Sequence, residues 1–374
     1  MKEGCKILYI ITSTNVGGTE RSLHELIRRI DRNEYSVYVC SLKKPGVFAK
    51  RISDEADGFY SLGLPEAGGV RAVLNFVPAL VRLTGLIRRL RPVIIHCFLF
   101  RANILGRIAG RTERVPVIIS SIRAIESDKR YKHLIDRFTS RLVHKYMAVS
   151  EAARKFTIKH VKISPDRIVT AYNGIDCDRT VLKEAYNFKI SKSFKNIALI
   201  GRFDKEKGHS ILIKALKTVL PQEPDIRVYF FGEGPDEGRI KRMIEKENLS
   251  EHIIFMGVAE DITVCISQMD IIVLPSLSEG LPNVLLEAMA EARPVVASRV
   301  GGVDEVVVDG ETGILFEPGD VQSLAEAILK LIRNRQLAED MGRAGRVRVL
   351  EKFSIKKTVK DTVKIYRNLL SEHV

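Results

Sequence analysis

Ile271-Ile272-Val273-Leu274-Pro275-Ser276-Leu277-Ser278-Glu279-Gly280-Leu281-Pro282-Asn283-Val284-Leu285-Leu286-Glu287-Ala288-Met289-Ala290 opens with a short apolar run rich in β-branched residues and turns sharply through Pro275, Ser276 and Gly280. It then takes up the spacing of a helix, with Pro282 near the first helical position. The pattern is strand, loop, helix. It holds two carboxylates, Glu279 in the loop and Glu287 inside the helix, around a helix N-terminus whose backbone N–H groups attract anions such as phosphate. Carboxylates beside such an end are poor phosphate ligands and good acceptors for hydroxyl donors. A sugar nucleotide offers both groups: a diphosphate for the helix end, and hydroxyls for Glu279 and Glu287. An ordinary β-α unit with an acidic residue favouring the helix dipole has the same pattern, so this stretch alone leaves both open.

Working outward, the same alternation fills the chain. Buried-strand runs are expected at 6–11, 35–40, 93–97, 115–121, 146–149 and 167–171, and again at 196–201, 227–231, 253–256, 271–275, 295–298 and 313–316, with helical patterns between them. Such alternation predicts doubly wound α/β domains. At 374 residues the chain is long for one core and comfortable for two. The expected division is an N-terminal Rossmann-like domain over 1–175, a polar irregular connection over 176–194 and a second Rossmann-like domain over 195–351. A last helical stretch follows over 352–374.

No segment reaches the ~20 uninterrupted apolar residues of a membrane span, and Met1 leads into a strand rather than a signal-peptide core, so the mature chain is expected to start at residue 1. The five cysteines, Cys5, Cys40, Cys97, Cys177 and Cys265, are scattered and lack metal-ligand spacing. They read as small core residues in a reducing compartment.

The net charge of +14 is one-sided. The first 180 residues hold 32 Lys and Arg against 17 Asp and Glu, while the remaining 194 hold 28 against 29. A basic half implies an anionic partner, a membrane surface or a nucleic acid. Residues 70–90 place Val73, Leu74, Val77, Leu80, Val81, Leu83, Leu86 and Ile87 on one broad face, with arginines elsewhere. That is a basic amphipathic helix, suited to an anionic membrane surface or to packing on a core with its basic side exposed.

Two further loops stand at strand ends. Gly17-Gly18 follows the first strand, where glycines let backbone approach a ligand closely. Neither the dinucleotide glycine spacing nor a Walker loop is present, and a simple tight turn has the same sequence. Gly201-Arg202-Phe203-Asp204-Lys205-Glu206-Lys207-Gly208 follows the first strand of the second domain. Arg202 is a planar fork and Lys207 a point charge, and together they are able to hold a diphosphate and stabilise it as it leaves; a surface Lys/Glu turn has the same sequence, so this loop alone leaves both open.

Taken in order, Gly17-Gly18, Gly201-Arg202-Phe203 with Lys207-Gly208, Gly232-Glu233-Gly234-Pro235, and Pro275-Ser276 with Glu279 and Glu287 separated by seven residues strongly resemble the retaining glycosyltransferases of family 4, the group-1 enzymes of GT-B architecture. The resemblance spans nearly the whole chain and is most specific over 196–316. It implies two Rossmann-like domains facing across a cleft, the donor against the second and the acceptor against the first, with the last helix returning to the first. Residue by residue, it implies that Arg202 and Lys207 bind the donor diphosphate, Glu279 the sugar hydroxyls and Glu287 the ribose hydroxyls. Backbone at Gly280, Leu281, Asn283 and Val284 would meet the phosphates, Gly257 and Val258 would wall the nucleobase, and Gly17 and Gly18 would lie near the donor phosphate. Arg202, Lys207 and Glu279 would be the catalytic set. Neither a metal nor another cofactor is implied, and no protein nucleophile.

Many relatives carry a His in the loop after the strand at 117–122, where this chain has Arg123, which suggests an anionic contact on the acceptor side. His96, ending an earlier strand, is either a second acceptor-side candidate or a satisfied structural histidine, and Glu20 and Arg21 read as helix-start residues rather than catalysts. The expected function is transfer from a nucleotide-sugar, UDP-linked by family default, to a lipid-linked or cell-surface polysaccharide acceptor. The protein would be cytoplasmic and peripheral on the inner face of the membrane. The alternatives are a GT-B sugar-nucleotide epimerase, which would lack the Glu279/Glu287 spacing, or a non-catalytic sugar-nucleotide-binding relative. No stacking aromatic set or binding motif supports a nucleic-acid partner.

Overall fold

The computed structural model describes residues 4–15, 17–65, 75–125, 130–177, 190–259 and 261–373. The chain divides into two units, Met1–Gly174 with Ile355–Val374, and Ile175–Ser354.

Among the described residues, seven parallel strands form the sheet of the first unit: β1 (Cys5–Ile11), β2 (Tyr35–Lys43), β3 (Gly58–Leu64), β4 (Ile94–Phe98), β5 (Val117–Ile122), β6 (Lys145–Ala148) and β7 (Ile168–Thr170). Their order is β3-β2-β1-β4-β5-β6-β7. Strand β1 shows why its residues are almost all apolar. Ile7, Tyr9 and Ile11 point into one core with Leu23, Ile27, Tyr366 and Leu369, while Leu8 and Ile10 point into another with Leu83, Ile87 and Ile118. A parallel sheet covered on both faces demands such a run. The last helix, Ile355–His373, supplies Tyr366 and Leu369, so it belongs to the core of the first unit.

Strand β3 is absent from the expected set. Gly-Phe-Tyr-Ser-Leu-Gly-Leu lacks β-branched residues and lies at the sheet edge, where pairing with β2 from Tyr38↔Gly58 onward makes it a strand. The amphipathic stretch expected over 70–90 is described from residue 75 onward. Val73 and Leu74 lie outside the described residues. The helix Phe76–Leu90 buries Ala79, Leu83, Leu86 and Ile87 in the core and leaves Val77 and Val81 exposed, so most of its apolar face packs on the sheet.

The second unit holds β8 (Lys195–Ile200), β9 (Ile226–Phe231), β10 (Ile253–Gly257), β11 (Ile271–Leu274), β12 (Val295–Ser298) and β13 (Ile314–Phe316), parallel and ordered β10-β9-β8-β11-β12-β13. These six strands stand where the apolar runs predicted them. Of the connection expected over 176–194, 178–189 lies outside the described residues. Ile190 is buried, and its N–H donates to Gln268 Oε1 at 3.2 Å, within the second unit. The final helical pattern also breaks: one helix ends at Lys352, and the next starts at Ile355 rather than at 352. Among the described residues no helix is long and apolar enough to cross a membrane.

Candidate active site

In an open parallel sheet, ligands bind at the carboxyl ends of the strands where the strand order reverses. In the second unit the chain runs from β8 outward to β9 and β10, then returns to β11 on the other side of β8. The switch point therefore lies between β8 and β11, and the loops leaving these strands are 201–208 and 275–282.

An ion pair joins the two loops. Lys207 Nζ donates to Glu279 Oε1 at 2.6 Å, and Ser276 Oγ donates to the same oxygen at 2.7 Å. Glu279 is only 9% exposed, and the Lys207 side chain is 26% exposed, so the pair is partly shielded from water. Backbone geometry holds it. The Asp204 carboxylate accepts the Lys207 N–H at 3.1 Å, capping the start of the turn Lys205–Lys207, and the Leu277 N–H donates to Glu206 O at 2.7 Å. Gly208 has φ +70°, and a Cβ there would fall 1.9 Å from Pro275 O, so only glycine lets the two loops meet. On the far side, Ser298 Oγ donates to Ser276 O, and the Gly302 N–H donates to Gly280 O at 3.1 Å.

The remaining donor-side candidates sit along the same edge. The Phe203 N–H donates to Glu233 O at 3.0 Å, and the Gly232 N–H to Gly257 O at 2.8 Å, so the loops after β8, β9 and β10 are joined in a row. Val258, beyond Gly257, is 44% exposed. Arg202 projects into solvent, its side chain 68% exposed and its Nε 3.9 Å from Asp204 Oδ2. Leu281 is buried, while Asn283 and Val284 begin the helix Asn283–Ala290 half-buried. Pro282 precedes its first residue. Glu287 stands half-buried in the second turn. Behind Lys207, His209 is buried edge-on against Phe203 at 4.7 Å and Phe230 at 5.2 Å. Burial, then the Lys207 charge, pulls its pKa down to about 4.

In the first unit the switch point lies between β1 and β4. Gly17 and Gly18 open the helix Gly18–Arg29, and a Cβ on Gly17 would fall 2.4 Å from Glu20 Oε2. Glu20 is buried and accepts from Ser13 Oγ at 3.2 Å. Burial raises its pKa, opposed by hydrogen bonds and by the charges of Arg123 and Lys43. Leu99, immediately after β4, adopts φ +72°, a strained conformation of the kind found at functional edges. Arg123, whose pKa burial lowers to about 10, lies with its guanidinium 5.9 Å from the Phe98 ring. It lines an open cavity of about 1040 Å³ with Lys43, Phe100, Asn103, Tyr131 and Phe156.

His96 is corrected. Its Nδ1 lies 2.6 Å from Tyr366 Oη and its Nε2 2.8 Å from Ser121 Oγ. It is 1% exposed, and burial followed by the Arg123 charge drives its pKa down to about 3. It is a neutral structural histidine that ties the last helix to β4 and β5.

Asp204, Ser276, Ser298 and Gly302 were not among the expected site residues. Ser276, three residues before Glu279, and Gly302, in a glycine pair after a buried strand, carried the same strand-end signal as the residues that were found.

Residues 16–179 match the family described as Glycosyltransferase Family 4, and residues 183–348 match Glycosyl transferases group 1. The N-acetyl-alpha-D-glucosaminyl L-malate synthase of Bacillus anthracis is 31% identical over 270 residues, covering 70% of each chain. The chain belongs to the family-4, group-1 glycosyltransferases. This glycosyltransferase is also 23% identical over 383 residues to the Escherichia coli UDP-Gal:alpha-D-GlcNAc-diphosphoundecaprenol alpha-1,3-galactosyltransferase, covering 98% of this chain and 97% of the relative. Its fold is GT-B. The solved structure of Anabaena Alr3699/HepE in complex with UDP and glucose superposes with a TM-score of 0.84 at 20% identity, covering 97% of this chain and 100% of that one.

Proposed function

We propose that this glycosyltransferase moves a hexosyl group, with retention, from a UDP-linked donor to a lipid-linked or surface-polysaccharide acceptor at the inner face of the cytoplasmic membrane. The observation that carries the donor side is the Lys207–Glu279 contact across the switch point. It sets a cation and a hydroxyl-accepting carboxylate side by side, the two functions that a sugar diphosphate needs at adjacent atoms. The UDP donor and the diphosphoundecaprenol acceptor in the Escherichia coli relative's name support the substrate classes, as does the UDP and glucose complex of the Anabaena protein.

In this mechanism Lys207 and Arg202 neutralise the departing diphosphate without a metal ion. Glu279 accepts hydrogen bonds from the sugar hydroxyls and keeps Lys207 aimed. The backbone at 280–284 meets phosphate oxygens, Glu287 takes the ribose hydroxyls, and Gly257 and Val258 flank the base. The bond from the anomeric carbon to the phosphate oxygen breaks as the acceptor oxygen attacks from the same face. The acceptor proton passes to a donor phosphate oxygen, so no protein nucleophile is used. Arg123 and the aromatic side chains of the cavity in the first unit suit an acceptor carrying phosphate and apolar groups.

The test is thermal unfolding with UDP, GDP, ADP and their common sugar conjugates, with and without EDTA, followed by NMR of the anomeric configuration of the product. A selective rise in Tm with uridine ligands that survives chelation, and a retained anomer, are expected. No shift with any nucleotide, or an inverted product, overturns the proposal. An epimerised donor formed without acceptor would replace it with the epimerase alternative.

A further inference from the structure

The helix Arg130–Thr139 of the first unit is built inside out. Asp136 is its one buried residue among those described. That carboxylate meets Arg107 Nη1 at 2.6 Å, and the same nitrogen reaches Thr139 Oγ1 at 2.8 Å. Arg107 is wholly buried, donates to Ser120 Oγ at 2.9 Å and stacks its guanidinium 5.1 Å from the Tyr146 ring. The neighbouring polar residues of the helix also turn inward, with Lys132 Nζ 5.2 Å from the Phe100 ring and His133 edge-on to Phe156 at 5.4 Å.

The apolar residues face the other way. Leu134 is 56% exposed, Ile135 39% and Phe138 82%, and Tyr131, 60% exposed, stands at the N-terminal end of this stripe on the rim of the Arg123 cavity. At ~100° per residue these four cover one arc of about 100°, the width that normally faces a core. Here that face stands in water because the polar side of the helix holds the buried arginine. Soluble surfaces tolerate single exposed apolar residues, whereas a contiguous stripe marks an interaction site.

Charge identifies the occupant. Arg130 and Arg137 flank the stripe on one side, and Arg141 follows the helix. The first unit holds 36 Lys and Arg against 17 Asp and Glu, while the second holds 24 against 29. An aromatic and aliphatic stripe bordered by cations, on the basic unit of a protein with an acidic remainder, complements the headgroup and acyl boundary of an anionic bilayer. The geometry points to the helix Arg130–Thr139 as the element that docks this glycosyltransferase on an anionic membrane, with Leu134 and Phe138 entering the acyl region. The helix Phe76–Leu90 spends most of its apolar face on the core. The inference rests on the membrane-face part of the proposed function and specifies the surface that serves it.

The test is flotation of the full chain with vesicles of phosphatidylglycerol and phosphatidylethanolamine, against vesicles of phosphatidylcholine. The native protein floats with the anionic vesicles only, and Leu134→Ser/Phe138→Ser lowers the bound fraction at least ~10-fold. Both positions are surface-exposed, so an unchanged Tm shows that the variant is folded. Failure of the native protein to bind anionic vesicles, or equal binding by the variant, overturns the proposal. A concentration-dependent dimer that Phe138→Ser abolishes, without vesicle binding, also overturns it and assigns the stripe to a second copy. UDP release from UDP-sugars in the absence of vesicles reports the transferase proposal separately and is expected to be equal in both proteins.

Discussion

Removing Lys207 tests the donor site at the point where its two loops join. Glu279 Oε1 accepts two hydrogen bonds, from Lys207 Nζ and Ser276 Oγ, and Lys207→Ala leaves it only the second. A fully buried ion pair that loses one partner costs about 3–5 kcal/mol. Lys207 is a quarter exposed, so water screens the pair. The smaller loss of a charge-assisted hydrogen bond, about 1.5–3 kcal/mol, is therefore expected. For a unit of this size that corresponds to a fall in Tm of about 3–12 °C. The kinetic effect is larger in proportion, because the cation that meets the leaving diphosphate is gone: kcat is expected to drop about 10²–10³-fold. Glu279→Ala leaves a lysine that water can reach and costs less stability than Lys207→Ala. Calorimetry and turnover of Lys207→Ala, Glu279→Ala and the double variant complete a cycle, whose coupling is expected at about 0.5–3 kcal/mol. A folded Lys207→Ala protein within about tenfold of the native rate, or a cycle with no coupling, would refute the assigned roles.

Gly208→Ala forces a Cβ toward Pro275 O at a positive φ and is expected to cost at least about 2 kcal/mol. The urea midpoint measures this, and a neutral result would show that the loops are free to separate. Asp136→Ala strands the buried Arg107 charge, with an expected loss of about 3–5 kcal/mol. It should also weaken vesicle flotation, because the docking helix loses its inward anchor. His209 is neutral when folded, with its pKa at about 4, and returns to about 6.5 when unfolded. Between those values the unfolded chain binds more protons, so stability is complete above about pH 6.5 and falls as the pH drops toward about 4, by about 3 kcal/mol. His209→Leu should flatten that part of the curve in urea titrations, and an unchanged slope would place the proton uptake elsewhere.

The strands were legible because a strand covered on both faces must be apolar along its whole length, as in 271–274 and 196–200. The edge strand β3 was not, because its state depends on pairing with β2 rather than on its own residues. Residues at strand ends were legible too: Arg202, Lys207, Glu279 and Glu287 all follow buried runs, where a parallel sheet presents its ligand edge. Which of them touch was hidden. Lys207 and Glu279 are 72 positions apart, and their contact follows from β8 lying beside β11 in the register Ile271↔Ile197.

The sequence by itself determined the two doubly wound α/β units, the glycine loops at their strand ends and the excess of basic residues in the first half. These depend on local periodicity and composition. The sidedness of groups that seek distant partners emerges from the packed fold. His96 became structural because Tyr366, 270 positions away, returns on the last helix to meet its ring. The stripe Tyr131, Leu134, Ile135 and Phe138 has the spacing of a core face, yet it points outward because Arg107 is buried on the opposite side and needs Asp136. Periodicity shows that a helix has two faces, and the buried charge selects which of them is turned to solvent.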